Sequence, residues 1–148
     1  MIERETVSDL AVKSPDQAPL TCRLRPKEVS DRQGPVPHMG EVELENCSAI
    51  PVEIAYTMTP LQFFELEVVG PDGAIVSEGH FSDRWSPTRD PAVLRLLPGE
   101  KFTATVPLLA TVPRTRRRPG TYTVQASYRF QGRKVMAEPL TVELTSEA

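Results

Sequence analysis

The chain has 148 residues, a hydrophobic fraction of 39%, 15 prolines and a formal net charge of −3. This length suits one domain with an ordinary core, and the abundance of proline favours short strands and loops over long helices. A pI near 5.5 argues against a dedicated nucleic-acid binder, and no stretch of the sequence approaches the roughly 20 apolar residues of a membrane span.

Residues 1–18 show no sustained hydrophobic period and are predicted to be a tail or a loosely docked strand. They carry acidic residues at Glu3 and Glu5 and lack the apolar run of a signal peptide. We therefore expect a cytoplasmic protein, unless a leader precedes this sequence. Residues 19–146 are predicted to form the folded domain.

From residue 19 onward, apolar and polar residues alternate in short segments separated by turn formers, a pattern typical of antiparallel strands. The first predicted strands cover 19–25, 41–46, 51–58 and 61–69, with a loop over 26–40. Asn46 and Ser48 predict a turn, Asp72-Gly73 predicts a hairpin, and 77–91 contains too many turn formers for regular structure.

The second half continues the alternation. Residues 92–109 predict two strands broken at Pro98-Gly99, 121–130 shows the cleanest alternation, and Gln131-Gly132 turns the chain into 134–145. These segments predict an all-β protein, an immunoglobulin-like antiparallel β-sandwich of about seven to nine strands.

Four pieces, read in order, carry a resemblance: VELENCSAIPVEIAYT, FFELEVVGPDGAIVSEGHF, LRLLPGEKFTATVPL and RPGTYTVQASYRF. They resemble the immunoglobulin-like domain of the intracellular proteinase inhibitor family of bacilli (the BsuPI type), over roughly residues 41–130. The resemblance implies an immunoglobulin-like fold and inhibition of a protease. The chain departs from the family in its first 40 residues and in an arginine-rich loop before Pro119-Gly120, and no inhibitory reactive segment matches residue by residue.

The start of the 121–130 strand contains Tyr122, two residues after Gly120. This position is typical of a tyrosine corner, in which the phenol hydroxyl returns to the upstream backbone. We expect a structural role for Tyr122.

Charge is unevenly distributed: residues 101–137 contain eight Lys or Arg and no acidic residue, whereas 1–100 contain nine basic and seventeen acidic residues. Cross-strand ion pairs between the two parts would absorb much of this asymmetry. Such pairs do not readily account for the loop residues Arg114, Arg116, Arg117 and Arg118, because the side chains of a tight loop point in several directions and cannot all face one strand. These four arginines are either an exposed loop tip without partners or a docking surface for an acidic protein, and nucleic acid is disfavoured as their partner.

A second candidate surface is the turn-rich stretch 78–85, which contains Phe81 and Trp85. Exposed aromatic side chains in a loop would form a binding hot spot. Alternatively, Trp85 folds down as a plug at the open end of the sandwich.

Other residue patterns do not predict a reactive centre. Glu41, Glu43, Glu45 and Glu53 lie on one strand face and are expected to be a solvated face rather than a calcium site. His38 and His80 lack companions at zinc-ligand spacing. Strand parity places Cys22 in the core and Cys47 at a strand end, out of phase with Val42 and Leu44, which predicts two thiols rather than a disulfide.

The sequence therefore predicts a non-enzymatic protein-interaction module with no cofactor and no bound metal. Its expected partner is a protein, either one with an acidic surface or a protease that it inhibits or regulates, and neither nucleic acid nor a membrane. The alternative is a structural or accessory immunoglobulin-like domain that supports a larger assembly or self-associates.

Overall fold

The computed structural model describes residues 19–87 and 90–145, so the predicted N-terminal tail lies outside the described residues. Regular structure within these ranges is almost entirely antiparallel β, which confirms the all-β prediction. The eleven strands are β1 (Leu20–Pro26), β2 (Val29–Asp31), β3 (Gly34–Val36), β4 (Met39–Asn46), β5 (Val52–Tyr56), β6 (Phe64–Val69), β7 (Ala92–Leu96), β8 (Lys101–Pro107), β9 (Gly120–Phe130), β10 (Arg133–Met136) and β11 (Leu140–Leu144).

Two antiparallel sheets form the body of the protein. In the first sheet, β4 lies between β1 and β8. In the second, β9 is central: β6 pairs with one of its edges, while β10 and β11 pair with successive parts of the other edge. The predicted long last strand is thus two strands, and the interruption contains Pro139, which has no N–H to donate.

One buried core lies between these sheets. It combines inward side chains of β1, β4 and β8 with those of β6, β9 and β11, as strand alternation requires. The largest fully buried side chains include Tyr122, Tyr128, Phe64 and Phe81. The Tyr128 hydroxyl donates to the Pro60 carbonyl oxygen, so its polar end is satisfied despite complete burial.

A long two-stranded ribbon, β4–β5 against β7–β8, is interrupted in both strands at the same level. β4 pairs with β8 and β5 pairs with β7, while residues 47–51 and 97–100 leave the ladder. Asn46, which is fully buried, closes this interruption: its Nδ2 donates to the carbonyls of Ile50 and Leu96, and its Oδ1 accepts from the Ser48 amide. The predicted turn at Asn46 and Ser48 is confirmed, and so is the break at Pro98-Gly99.

Sequence and structure differ at two further places. Residues 26–40, predicted as a loop, contain the β2–β3 hairpin, whose three-residue strands are too short and too proline-interrupted to show alternation. The Asp72-Gly73 turn forms, with Gly73 at a positive φ of 88°, but the residues after it make only one bridge, Val69 to Ile75. Helical structure in the described ranges consists of short 3-10 turns, and none could cross a membrane.

Candidate functional site

The arginine loop, residues 113–119, has a fixed backbone. A 3-10 turn spans Arg114–Arg116. The hydroxyl of buried Tyr122 accepts the Arg118 amide N–H at 2.7 Å and donates to the Arg118 carbonyl oxygen at 2.5 Å. The tyrosine-corner prediction for Tyr122 is therefore confirmed, and the loop is anchored to the start of β9.

Arg117 is a structural clamp within this loop. Its Nε donates to the Val112 carbonyl and its guanidinium Nη2 donates to the Leu109 carbonyl, both at 3.0 Å. The two carbonyls belong to buried residues at the turn after β8. Because five N–H donors lie in one planar fork, an arginine can satisfy both at once. The interpretation of all four arginines as exposed and without partners is therefore wrong for Arg117.

The other three arginine side chains point outward. Arg114, Arg116 and Arg118 are exposed, and Arg116 forms an ion pair with Glu78 at 3.3 Å, with both side chains more than half exposed. Within the described part of the chain, the guanidinium groups of Arg114 and Arg118 have no hydrogen-bond or ion-pair partner. The loop therefore presents three cationic groups on a rigid backbone.

A cleft of about 440 Å³ adjoins the loop. Arg116, Arg118 and Tyr122 line one side, and the turn after β6 lines the other. Gly120 closely approaches Pro71, which lines the cleft: a Cβ on Gly120 would lie 2.5 Å from the Pro71 Cγ. The two turns are thus fixed against each other beside the arginines.

Phe81 and Trp85 do not form an exposed aromatic surface. Phe81 is only 1% exposed, makes an edge contact with Phe64 at 5.2 Å between ring centroids, and belongs to the core. Trp85 is half-buried against Phe81, and Arg84 lies over the Phe81 ring. The burial of Phe81 removes it from the candidate partner-binding residues, and Trp85 caps the core as the alternative interpretation predicted.

Glu41, Glu43 and Glu45 form an ionic layer and not a solvated face, which corrects the expectation for Glu43, whereas the Glu53 side chain is 62% exposed as predicted and lies 4.0 Å from Arg95. The Glu43 side chain is 5% exposed because it lies on the central strand, under Arg23 at 3.1 Å and Arg25 at 2.7 Å. Glu41 pairs with Arg25 and Lys27, and Glu45 pairs with Arg23. Arg23 and Arg25 of β1 thus make four of these ion pairs, while Lys27, just beyond β1, pairs with Glu41, and Lys101 lies 4.0 Å from Glu43.

The remaining candidate groups lie apart. Cys22 and Cys47 both remain thiols, as predicted, and burial raises the pKa of Cys22 to about 12. Burial, together with nearby Arg117, lowers the pKa of His38, while the His80 ring lies 3.2 Å from Glu65. Among residues 19–87 and 90–145, no three His, Cys, Asp or Glu side chains are grouped as metal ligands.

No protein-family model matches the chain, and no curated protein matches it significantly. The site residues must therefore be judged from their geometry. Sequence reasoning identified the arginine loop but missed the role of Arg117 and the partner Glu78; strand parity gives no signal for either, because both lie outside strands.

Proposed function

We propose that this chain is a non-enzymatic protein-interaction module whose docking surface is the arginine loop. The observation that supports this most is the combination of a backbone fixed by Tyr122 and Arg117 with outward Arg114, Arg116 and Arg118. A rigid loop loses little conformational entropy on binding, and arginine is enriched in binding hot spots. The partner that fits is a protein with an acidic surface.

Regulation of a protease is the narrower form of this proposal. It is supported only by the resemblance to the intracellular proteinase inhibitors over residues 41–130. The test is inhibition of a panel of serine and metalloproteases at stoichiometric concentration, with the chain recovered intact. A panel in which no protease slows would remove this narrower form and leave the docking proposal in place.

The accessory-domain alternative is favoured by a different observation. The β5–β7 ribbon has no further strand paired to it among the described residues, and it exposes Val93 and, just beyond β7, Leu97. Open strand edges with apolar side chains favour pairing with another chain. Sedimentation over a wide concentration range distinguishes the two: association abolished by Val93→Lys would favour the accessory function.

The docking proposal is tested by the triple variant Arg114→Ser, Arg116→Ser, Arg118→Ser, which retains Arg117. A matched control, Arg32→Ser, Arg129→Ser, Lys134→Ser, removes the same charge from other exposed positions. A bound partner should be lost by the first variant and kept by the control. The rate at which the partner associates should fall steeply with salt for the parent chain and weakly for the loop variant. Exposed charges mainly accelerate the encounter of two proteins. Equal binding by all three proteins would contradict the proposal.

A further inference from the structure

Strand β11 directs part of its main chain away from β9, its one strand partner in the described part of the chain. The hydrogen bonds on the opposite edge of β9 determine this orientation. Val68 donates its N–H to the Ser77 hydroxyl at 3.0 Å and accepts the Val76 N–H at 2.9 Å, so its polar groups point away from β9. Val68 is paired with Val124. This is therefore a non-hydrogen-bonded pair, and the main chain of Val124 points towards β11.

The alternation of an antiparallel pair then fixes the orientation of every residue on β11. Leu140, Val142 and Leu144 face Val124, Tyr122 and Gly120 and exchange hydrogen bonds with them. Thr141 and Glu143 consequently direct their N–H and C=O groups outward. Within residues 19–87 and 90–145, these four groups have no hydrogen-bond partner.

These outward groups border a groove of about 650 Å³ in volume. The opposite wall is the segment 26–30, where the chain leaves β1 and enters the short β2–β3 hairpin. Between the walls the groove is lined by apolar side chains, namely Val29, Val36, Met39, Leu108 and Leu140. β11 contains neither proline nor lysine, two residues that commonly protect a strand edge from pairing.

The charges that line the groove leave a negative excess. Lys27 is engaged by Glu41 at 3.6 Å and by the Thr105 hydroxyl at 3.0 Å. Burial and the nearby Arg117 lower the pKa of His38, which favours its uncharged form. Glu28 and Glu143 remain without a cationic partner in the described residues. A basic ligand would complement them.

We propose that this groove binds an extended segment of a partner protein, which adds as a strand to the free edge of β11. Its main chain would pair with Thr141 and Glu143, its apolar side chains would enter the groove, and its alternate basic side chains would face Glu28 and Glu143. Main-chain pairing supplies affinity in such strand addition, and side-chain alternation supplies specificity. The groove shares no lining residue with the cleft beside the arginine loop, and its proposed ligand does not depend on the docking function proposed for that loop.

The first test uses acetylated, amidated hexapeptides that alternate lysine with valine, leucine or phenylalanine. Amide hydrogen exchange, measured by NMR on the full chain, reports the predicted pairing. Exchange at Thr141 and Glu143 should slow at least about tenfold on binding, whereas Leu140 and Val142 are protected already. Peptides N-methylated on alternate residues should not bind. Absence of chemical-shift changes along β11 with every peptide up to about 1 mM would overturn the proposal.

The second test uses Thr141→Pro, with Thr141→Val as its control. Proline is tolerated on an edge strand where the lost N–H faces outward, so pairing with β9 should survive. Removing this one donor should weaken peptide binding about fivefold to tenfold, whereas Thr141→Val should leave it unchanged. If Thr141→Pro unfolds, the N-methylated peptides on the parent chain decide the question.

A third comparison tests the charge requirement and the identity of the occupant. Glu143→Lys should weaken the lysine-containing peptides, and peptides with glutamate in place of lysine should bind the parent more weakly. Equal affinity of lysine and glutamate peptides would overturn the basic specificity. If sedimentation shows that the chain dimerises and Thr141→Pro abolishes the dimer, the occupant is a second copy of this chain and the proposed partner segment is wrong.

Discussion

Replacing Arg117 should destabilise the protein, unlike replacing its neighbours. Its guanidinium donates to the carbonyls of Leu109 and Val112 at 3.0 Å each. A hydrogen bond from a charged donor contributes about 1.5–3 kcal/mol, and the half-buried setting of this side chain places each bond at or below the low end of that range. We therefore expect Arg117→Ser to lower the free energy of unfolding by about 2 kcal/mol.

Thermal and urea unfolding measure this effect. For a chain of this size, about 2 kcal/mol corresponds to a Tm lowered by roughly 6 °C and a urea midpoint lowered by about 1 M. Arg114→Ser and Arg118→Ser are the matched controls, and each should remain within about 0.5 kcal/mol of the parent. Arg117→Lys should recover only part of the loss, because an ammonium group does not present a planar fork to two carbonyls.

An Arg117→Ser variant as stable as Arg118→Ser would contradict the structural role of Arg117. That result would mean that water replaces the guanidinium at both carbonyls without cost. The interpretation of the whole run as a soluble loop tip would then apply to Arg117 as well. If Arg117→Ser instead loses stability and the loop variant that retains Arg117 does not, one arginine positions the loop and the other three are available for binding.

Four further outcomes are expected. Asn46→Ala should cost about 2–4 kcal/mol in urea unfolding, since it removes the side-chain bonds to the Leu96 carbonyl and the Ser48 amide at the ribbon interruption, while the Ile50 carbonyl keeps the Ser48 hydroxyl as a donor. Gly120→Ala should lower the Tm markedly, because its Cβ would lie 2.5 Å from the Pro71 Cγ at a φ of +143°, whereas Gly132→Ala has open space and should cost less. With a thiol reagent at pH 8, half-buried Cys47 should react before Cys22, whose pKa is raised to about 12. Urea-unfolded protein should titrate both thiols without reductant, and a disulfide between the two cysteines would contradict this. Tyr122→Phe should destabilise by about 1–2 kcal/mol and increase amide exchange at Arg118.

The sequence predicted best the strands that bury one face. β9 alternates over its length because one face packs into the core, and its inward residues Tyr122, Val124 and Tyr128 are fully buried. The β2–β3 hairpin escaped prediction because three residues per strand are too few to show a period. Periodicity also could not show that β7 and β8 belong to one interrupted strand, since their continuity depends on pairing with β5 and β4.

The candidate site was predicted only in part, because the sequence does not reveal which groups a loop side chain contacts in the folded protein. Four arginines in a loop are equivalent in the sequence, yet a neighbouring turn with buried carbonyls engages Arg117 alone. Phe81 lies in polar surroundings in the sequence, but a 3-10 turn directs its ring into the core. Both differences arise from tertiary contacts between segments that are not predicted to be regular.

The ionic layer explains why the acidic residues of β4 do not pair with the arginine loop. The acidic residues of β4 were the obvious partners for the basic second half of the chain, but β1 lies beside β4 and supplies Arg23 and Arg25. Packing on the central strand then encloses Glu43, so it cannot be reached from the loop. With the acidic residues of β4 already paired, the outward arginines have Glu78 as their ion-pair partner among the described residues, and Asp72 lines the same cleft as Arg116 and Arg118. The same strand pairing that stabilises the first sheet therefore leaves the cationic loop available for a partner.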